Sequence, residues 1–329
     1  MKAIPQRALP ERCLGALRTP ALGLGAMGLS GLYGPADDRH SIELLHHAVD
    51  AGVKLFDTAD VYGSGHNESL LGRALTGLRG QVQIATKTGG AAAPGVGRPE
   101  RIRLAIEASL RRLQTDHVDL YYLHRVDPTV PIEDSVGAMA QLVTQGKVRH
   151  LGLSEVNAET VQKAHHIHPI TAVQQEYSLF VRDSERQLFP MLRKLDIGIV
   201  AYSPLGRGIL SGSMTNLEQI ENLQARQERY PRFEPRAFCA NMRKVEALRE
   251  IATASGLTPA QLALGWLLAQ GDDVVPIPGT RKLKNLKSNL RACTVILDET
   301  QIAAIEQLYP IGAMAGDRYS SALAARVQD

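Results

Sequence analysis

The strongest constraint on this chain is a repeating alternation of short apolar runs with longer amphipathic stretches, sustained over most of its 329 residues. Runs at 53–57, 82–87 (VQIATK), 118–124 (VDLYYLH), 148–154 (VRHLGLS), 171–176 (TAVQQE) and 197–202 (IGIVAY) read as strands. Helical segments at 38–51, 67–76, 99–113, 132–145, 157–166 and 184–194 lie between them. The runs are apolar throughout rather than alternating, as expected of strands covered on both faces in a parallel sheet. After Tyr202 the rhythm breaks into an insertion, 203–240. Helices at 241–254 and 258–270 follow, the second with Thr258 as its cap and Pro259 at its first position. A strand at 274–277 (VVPI) and a basic helix at 282–291 end the series. With a first strand at 21–25 (ALGLG), the pattern predicts an α/β chain: a single (β/α)8 TIM barrel spanning 1–329. LPERCLGALRT, at 9–19, reads as an N-terminal β-hairpin. Beyond a helix at 299–308, GAMAGDRYSS is expected to fold over one end.

The first strand carries Gly23-x-Gly25-x-x-Gly28, which matches the dinucleotide fingerprint of Rossmann folds. That fingerprint must open directly into a helix. Here SGLYGP follows, no helix is expected before about Asp37, and the match reads as a decoy at the end of a barrel strand. Composition narrows the field further. A net charge of +3 without basic runs argues against nucleic-acid binding. Cys13, Cys239 and Cys293 lack any metal or disulfide spacing, and no apolar run is long enough to span a bilayer. A soluble, cytoplasmic protein is expected, acting on a small molecule as a monomer or weak homo-oligomer.

In a barrel the chemistry sits at the C-terminal ends of the strands. Reading those ends in order gives Asp57 and Tyr62, Lys87, His124, Ser154, Gln175, Tyr202 and then Gly279-Thr280-Arg281. Between the first two ends, Asn67 is expected to cap the helix that follows. Each residue alone has a bland explanation: a solvated lysine, a structural histidine, a capping aspartate. Together they make a proton-donating site. A phenol has an unperturbed pKa near 10, and a nearby ammonium favours its ionised form. An aspartate keeps that ammonium charged, and an imidazole binds a carbonyl oxygen. Such a site protonates a carbonyl oxygen as hydride reaches the carbon, and no side chain supplies hydride, so a nicotinamide cofactor is implied.

The segments FDTADVYG (56–63), ATK (85–87), YLH (122–124), GKVRHLGLS (146–154), QQEYS (174–178), AYSPLGRG (201–208) and IPGTR (277–281) closely resemble the aldo-keto reductases, in the family's order. That family binds NADPH on a barrel. The resemblance implies Asp57, Tyr62, Lys87 and His124 as the catalytic tetrad, with Tyr62 the acid. It implies that Ser154 and Gln175 hold the nicotinamide amide and that Tyr202 stacks on the ring. Ser203, Leu205, Gly206 and Arg207 are expected along the pyrophosphate, with Gly279, Thr280 and Arg281 at the end of the last strand and Asn289 near the adenine. The basic cluster Arg281, Lys282, Lys284 and Lys287 favours a 2′-phosphate, with Arg281 the first choice.

One position departs from the pattern. Many members place Asn after the serine of strand five, where Glu155 stands here, and a carboxylate cannot donate to a carboxamide oxygen. Glu155 and the sequence after His124 suggest the bacterial branch related to pyridoxal reductases and general aldehyde reductases. Tyr33, Arg125, Tyr230 and Phe233 are candidates for the substrate pocket because their loops leave the active face, and Ala91–Gly97 is expected to flank its mouth. His165, His166 and His168 end a helix and suit its negative pole rather than a metal. Trp266 is read as packing. The expected function is NADPH-dependent reduction of aldehydes and ketones; the alternative is an NADP-binding regulatory subunit of the same fold acting through a protein partner.

Overall fold

The computed structural model describes residues 9–90 and 94–328; of the loop expected beside the mouth, 91–93 lie outside the described residues. The described residues open with the hairpin. Strands β1 (Glu11–Leu14) and β2 (Leu17–Pro20) pair antiparallel. Alternation turns Leu14 and Leu17 to one side, where they meet Leu55, Leu120, Val200 and Val275 inside the N-terminal end of the barrel. The hairpin is therefore a plug. Arg12 pins it, donating to the carbonyls of Leu268 (2.5 Å), Gly271 (2.5 Å) and Val274 (2.6 Å). Gly198 is required beneath it, because a Cβ there would stand 2.3 Å from Leu14 Cα.

Eight parallel strands follow in sequence order: β3 (Leu24–Gly25), β4 (Leu55–Asp57), β5 (Gln83–Thr88), β6 (Val118–Leu123), β7 (Val148–Ser154), β8 (Ile170–Glu176), β9 (Gly198–Tyr202) and β10 (Val274–Pro276). The sheet curls until its edges meet. The Gly23 amide donates to the Pro276 carbonyl at 3.0 Å, while Cβ atoms on Gly25 and Gly279 would each meet the opposite backbone at 2.7 Å. This seam accounts for two glycines of the false fingerprint. Gly23 and Gly25 let the first and last strands touch and open no phosphate-binding helix; a short 3-10 turn, Met27–Ser30, comes next, earlier than any helix expected from the sequence.

Residues on the strands alternate between two cores. Leu120 and Tyr122 of β6 face the barrel interior, whereas Tyr121 and Leu123 pack under the helices. The covering helices are α1 (Asp38–Asp50), α2 (His66–Ala74), α3 (Pro99–Leu113), α4 (Ile132–Thr144), α5 (Ala158–Ile167), α6 (Leu188–Lys194), α7 (Leu223–Arg229), α8 (Pro235–Ala254), α9 (Pro259–Ala269), α10 (Leu283–Arg291), α11 (Glu299–Leu308) and α12 (Ser321–Ala324). Thr258 and Gln261 close a capping box on α9, and Asp298 and Gln301 do the same on α11. Trp266 is fully buried on α9 against Tyr177, as packing requires. The helix expected at 241–254 starts earlier, at Pro235. Asn67 is not a cap. It lies inside α2, behind a left-handed Gly65, and is buried. His165 accepts from the Ile170 amide at 3.2 Å, which gives it a structural role. Among the described residues no single helix is long and apolar enough to cross a membrane.

Candidate active site

The four residues expected as a tetrad come together where the strands end. Lys87, in β5, is fully buried, and its Nζ donates to Asp57 Oδ1 (2.5 Å), the Thr58 carbonyl (2.6 Å) and Tyr62 OH (3.4 Å). The opposite carboxylate oxygen of Asp57 accepts from Gln174 Nε2 at 2.8 Å across the barrel. Tyr62 sits on a 3-10 turn after β4, edge-on to His124 with ring centroids 5.8 Å apart. Asn67, just past that turn, ties the end of β4 to the loop after β3. Its Oδ1 accepts from Thr58 Oγ1, and its Nδ2 donates to the Ala26 carbonyl and Ser30 Oγ.

Electrostatics tune the group in opposing ways. Burial alone would lower the Lys87 pKa, but Asp57 and then Tyr62 outweigh it, so the ammonium stays charged. Burial pushes the Tyr62 phenol above its usual range; Lys87 pulls it down without overcoming burial. The burial half of that balance is invisible in the sequence, where only Lys87 shows. His124 falls well below the usual histidine range through burial, then through Arg125 and Lys87, so its imidazole is neutral. Its Nδ1 is buried without a partner among the described residues.

Ser154 ends β7 and Tyr202 ends β9, as expected. Gln175 does not join them: its Nε2 donates to the Val156 carbonyl at 2.9 Å, on the side away from the tetrad. Gln174 is the inward residue, paired in register with Ser154. Strand parity carried that information, since Ala172 two residues earlier also faces the interior. Glu155 takes a left-handed φ of 55°. Its carboxylate accepts from the Glu176 amide (2.9 Å) and pairs with Arg318, so it is held by the chain itself.

Beyond Tyr202 the backbone is strained. Ser203 and Arg207 have φ of 49° and 57°, and Gly206 and Gly208 flank Arg207 with positive φ. A left-handed run of this kind turns successive amides toward one side, a cradle for an anion. Leu205 packs against the core beneath it. Arg207 donates to Tyr33 OH (3.2 Å), Glu176 Oε2 (3.3 Å) and Tyr319 OH (3.2 Å), and its guanidinium lies 3.8 Å from the Tyr230 ring centroid. Glu176 also pairs with fully buried Arg232 at 2.7 Å. Burial opposes its charge, yet Arg232, Arg207 and Arg318 together hold its pKa below the usual carboxylate range. Arg125, Arg207, Arg226, Arg232 and Arg318 outnumber Glu155 and Glu176 in this region, which suits a polyanionic cofactor.

The tail closes over this side as expected. Tyr319 OH shares a 2.6 Å hydrogen bond with Tyr202 OH, Arg318 meets Glu155, and the Gln328 amide donates to the Glu155 carbonyl at 3.1 Å. Glu176, Arg232, Arg318 and Tyr319 were not foreseen. Their partners lie far away along the chain, and no local spacing marks them. Two pocket candidates move. Phe233 is fully buried and stacks on Phe238, so it belongs to the core of the insertion rather than to a substrate pocket. Tyr33 faces the arginine side, its hydroxyl on Arg207 and its ring 4.6 Å from the Arg226 guanidinium. Arg125 lies within the site, its Nη1 donating to the His124 carbonyl (2.6 Å) and Ser154 Oγ (3.3 Å).

At the seam, Thr280 Oγ1 accepts from the Lys282 amide at 3.0 Å, and Asn289 is buried on α10. Arg281 donates to the carbonyls of Pro35 and Tyr33 and pairs with Glu221 at 2.7 Å, clasping the first loop and the insertion.

A family model described as the aldo/keto reductase family matches residues 21–310. The chain belongs to that family. A probable aldo-keto reductase from Glycine max is 47% identical over 311 residues, 92% of this chain and 89% of the relative. Glycerol dehydrogenase from Gluconobacter oxydans superposes with a TM-score of 0.82 at 28% identity, covering 91% of this chain and 94% of that one. An aldo/keto reductase from Klebsiella pneumoniae, solved with NADP and acetate, gives 0.73 at 26% identity, covering 95% and 99%. These relatives include a plant protein, so the comparisons do not single out the bacterial branch. As an aldo-keto reductase the chain is an oxidoreductase with a nicotinamide cofactor.

Proposed function

We propose that this aldo-keto reductase reduces aldehydes and ketones to alcohols with NADPH, and that Tyr62 is the general acid. The observation that carries the reading is the buried chain from Gln174 through Asp57 and Lys87 to Tyr62, ending beside a neutral His124. Burial keeps the Tyr62 phenol protonated and ready to donate near neutrality. The Lys87 ammonium then stabilises the phenolate left behind, and Asp57 keeps Lys87 charged and aimed. His124 is placed to orient the carbonyl oxygen. When bound, the cofactor supplies the hydride.

Ser154 and Gln174 are placed to hold the nicotinamide amide, Gln174 replacing Gln175 in that role, with Tyr202 against the ring. The cradle from Ser203 through Leu205 and Gly206 to Arg207 takes the pyrophosphate, and Gly279, Thr280, Arg281 and Asn289 the adenosine end. The Klebsiella pneumoniae relatives solved with NADP and with NADPH support the phosphorylated cofactor. Arg281 meets a 2′-phosphate only if its pair with Glu221 opens. NADPH oxidation across a panel of aldehydes and ketones tests the reading. Turnover above background is expected; binding of NADPH without turnover would favour the regulatory-subunit alternative.

A further inference from the structure

Apart from Asp60, whose charged neighbours are Glu68, Arg112 and Lys87, the carboxylates around the tetrad are already committed. Asp57 holds Lys87 and Gln174, Glu155 holds Arg318, Glu176 holds Arg207 and Arg232, and Asp127 accepts from Gly97 and Thr129. Two cations are left over: Arg226, which donates to the Arg207 carbonyl and lies on the Tyr33 ring, and Arg125, which adjoins the tetrad. No carboxylate lies within 4.0 Å of it among the described residues. Among the described residues only Nη1 is engaged, by the His124 carbonyl and Ser154 Oγ; Nε and Nη2 have no partner there and are not sealed from solvent. The residue is fixed at its base, adjoins His124 in sequence, and perturbs both Tyr62 and His124 electrostatically. Burial works against its charge, yet the phenols of Tyr202 and Tyr319 and the Glu155 carboxylate keep its pKa above the usual arginine range. A guanidinium with one edge anchored and the other open presents the planar fork that fits a carboxylate.

We propose that Arg125 is a specificity-determining residue that selects carbonyl substrates bearing a carboxylate, the free Nε/Nη2 edge pairing with the acid while the carbonyl lies between Tyr62 and His124. The inference rests on the reductase reading above. It commits the substrate class to oxo-acids and carboxylated aldehydes rather than neutral aldehydes.

The test compares the three isomeric carboxybenzaldehydes with their methyl esters, using wild type, Arg125→Met and Arg125→Lys. At least one acid is expected to exceed its ester in kcat/KM by about ten- to a hundredfold, the range of a charge-assisted pair. Arg125→Met should remove that preference, lowering kcat/KM for the acid at least about tenfold more than for its ester, and Arg125→Lys should restore part of it. Calorimetric titration of benzoate into the NADP+ complex gives a readout independent of turnover. Benzoate should bind wild type at least about tenfold more tightly than Arg125→Met. Equal losses for acid and ester, no preference in wild type, or benzoate binding that ignores Arg125 would each overturn the proposal. Arg125-dependent benzoate binding without NADPH oxidation by any aldehyde would instead sink the reductase reading and leave the carboxylate site standing.

Discussion

The two halves of the active end are built on different plans. The catalytic half, from β4 to β6, uses residues at strand ends and the turn beside them, and its central charges form one short pair, Lys87 with Asp57 at 2.5 Å. The cofactor half, from β7 to β10, takes its charges from the insertion and the tail. There Arg207, Arg232 and Arg318 converge on Glu155 and Glu176 from remote parts of the sequence. The first half holds a buried phenol, lysine and aspartate in fixed geometry. The second holds an excess of positive charge under strained backbone, a form suited to gripping an anion. Damage to the first should therefore appear in kcat, and damage to the second in cofactor affinity.

Tyr62→Phe is the severest break. It should lower kcat by about a hundredfold or more and leave NADPH affinity within about threefold. Lys87→Met should do comparable harm, with the double variant far short of the product of the two losses. Transient kinetics together with fluorescence titration separate these outcomes, and a loss of affinity matching the loss in kcat would erase the division of labour.

Arg281→Ala should weaken NADPH by roughly ten- to a hundredfold and hardly change NADH. Glu221→Gln removes the carboxylate that now competes for Arg281 and should tighten NADPH by about two- to fivefold. If both changes weaken NADPH and NADH alike, Arg281 acts as a clasp for the loop at 33–35 and the phosphate lies elsewhere.

Asp60 sharpens the contrast within the catalytic half. Burial, reinforced by Glu68, raises its pKa to about 6, and Oδ1 has no partner among the described residues. Its folded value exceeds the unfolded one, so its contribution to stability is greatest below about pH 4 and is lost as pH rises through about 6. Asp60→Asn should therefore gain stability over wild type between pH 4 and 7, by about 1–2 kcal/mol after allowing for its partial exposure. Denaturant melts at both pH values measure this, and a gain that does not grow with pH contradicts the assignment.

The smallest effect separates neighbours on β8. Gln174→Ala should weaken NADPH and slow turnover by about five- to tenfold, through the amide contact and the loss of its bond to Asp57. Gln175→Ala should change both by less than about twofold, though it lowers stability slightly. Equal effects on kinetics would return Gln175 to the site.

Much of the catalytic half was legible because its residues are local punctuation. Asp57, Lys87 and His124 each interrupt an apolar run at the strand's last turn, and a barrel can bring such interruptions together only at one end. Asn67 was misread because a cap and a buried strut look alike in sequence; only the neighbours, Thr58 and Ala26, distinguish them. The choice between Gln174 and Gln175 turned on parity, which a run apolar on both faces conceals. Phe233 was misplaced because an aromatic in an insertion has no periodicity to say which way it faces. Arg318 and Tyr319 carry no local mark, since their meaning depends on Glu155 and Tyr202 more than a hundred positions away.

The seam between β3 and β10 has a consequence for how the barrel comes together. Its contacts join the first and last strands, so closing it carries the largest loop entropy in the sheet, and β3 is only two residues long. Closure belongs late in folding, and the same edge is the natural place for the cylinder to breathe. Gly279 sits on that edge, immediately before Thr280 and Arg281. A nucleotide lying across those residues would act as a staple on the barrel's weakest join, so that cofactor occupancy and the lifetime of the closed cylinder rise and fall together.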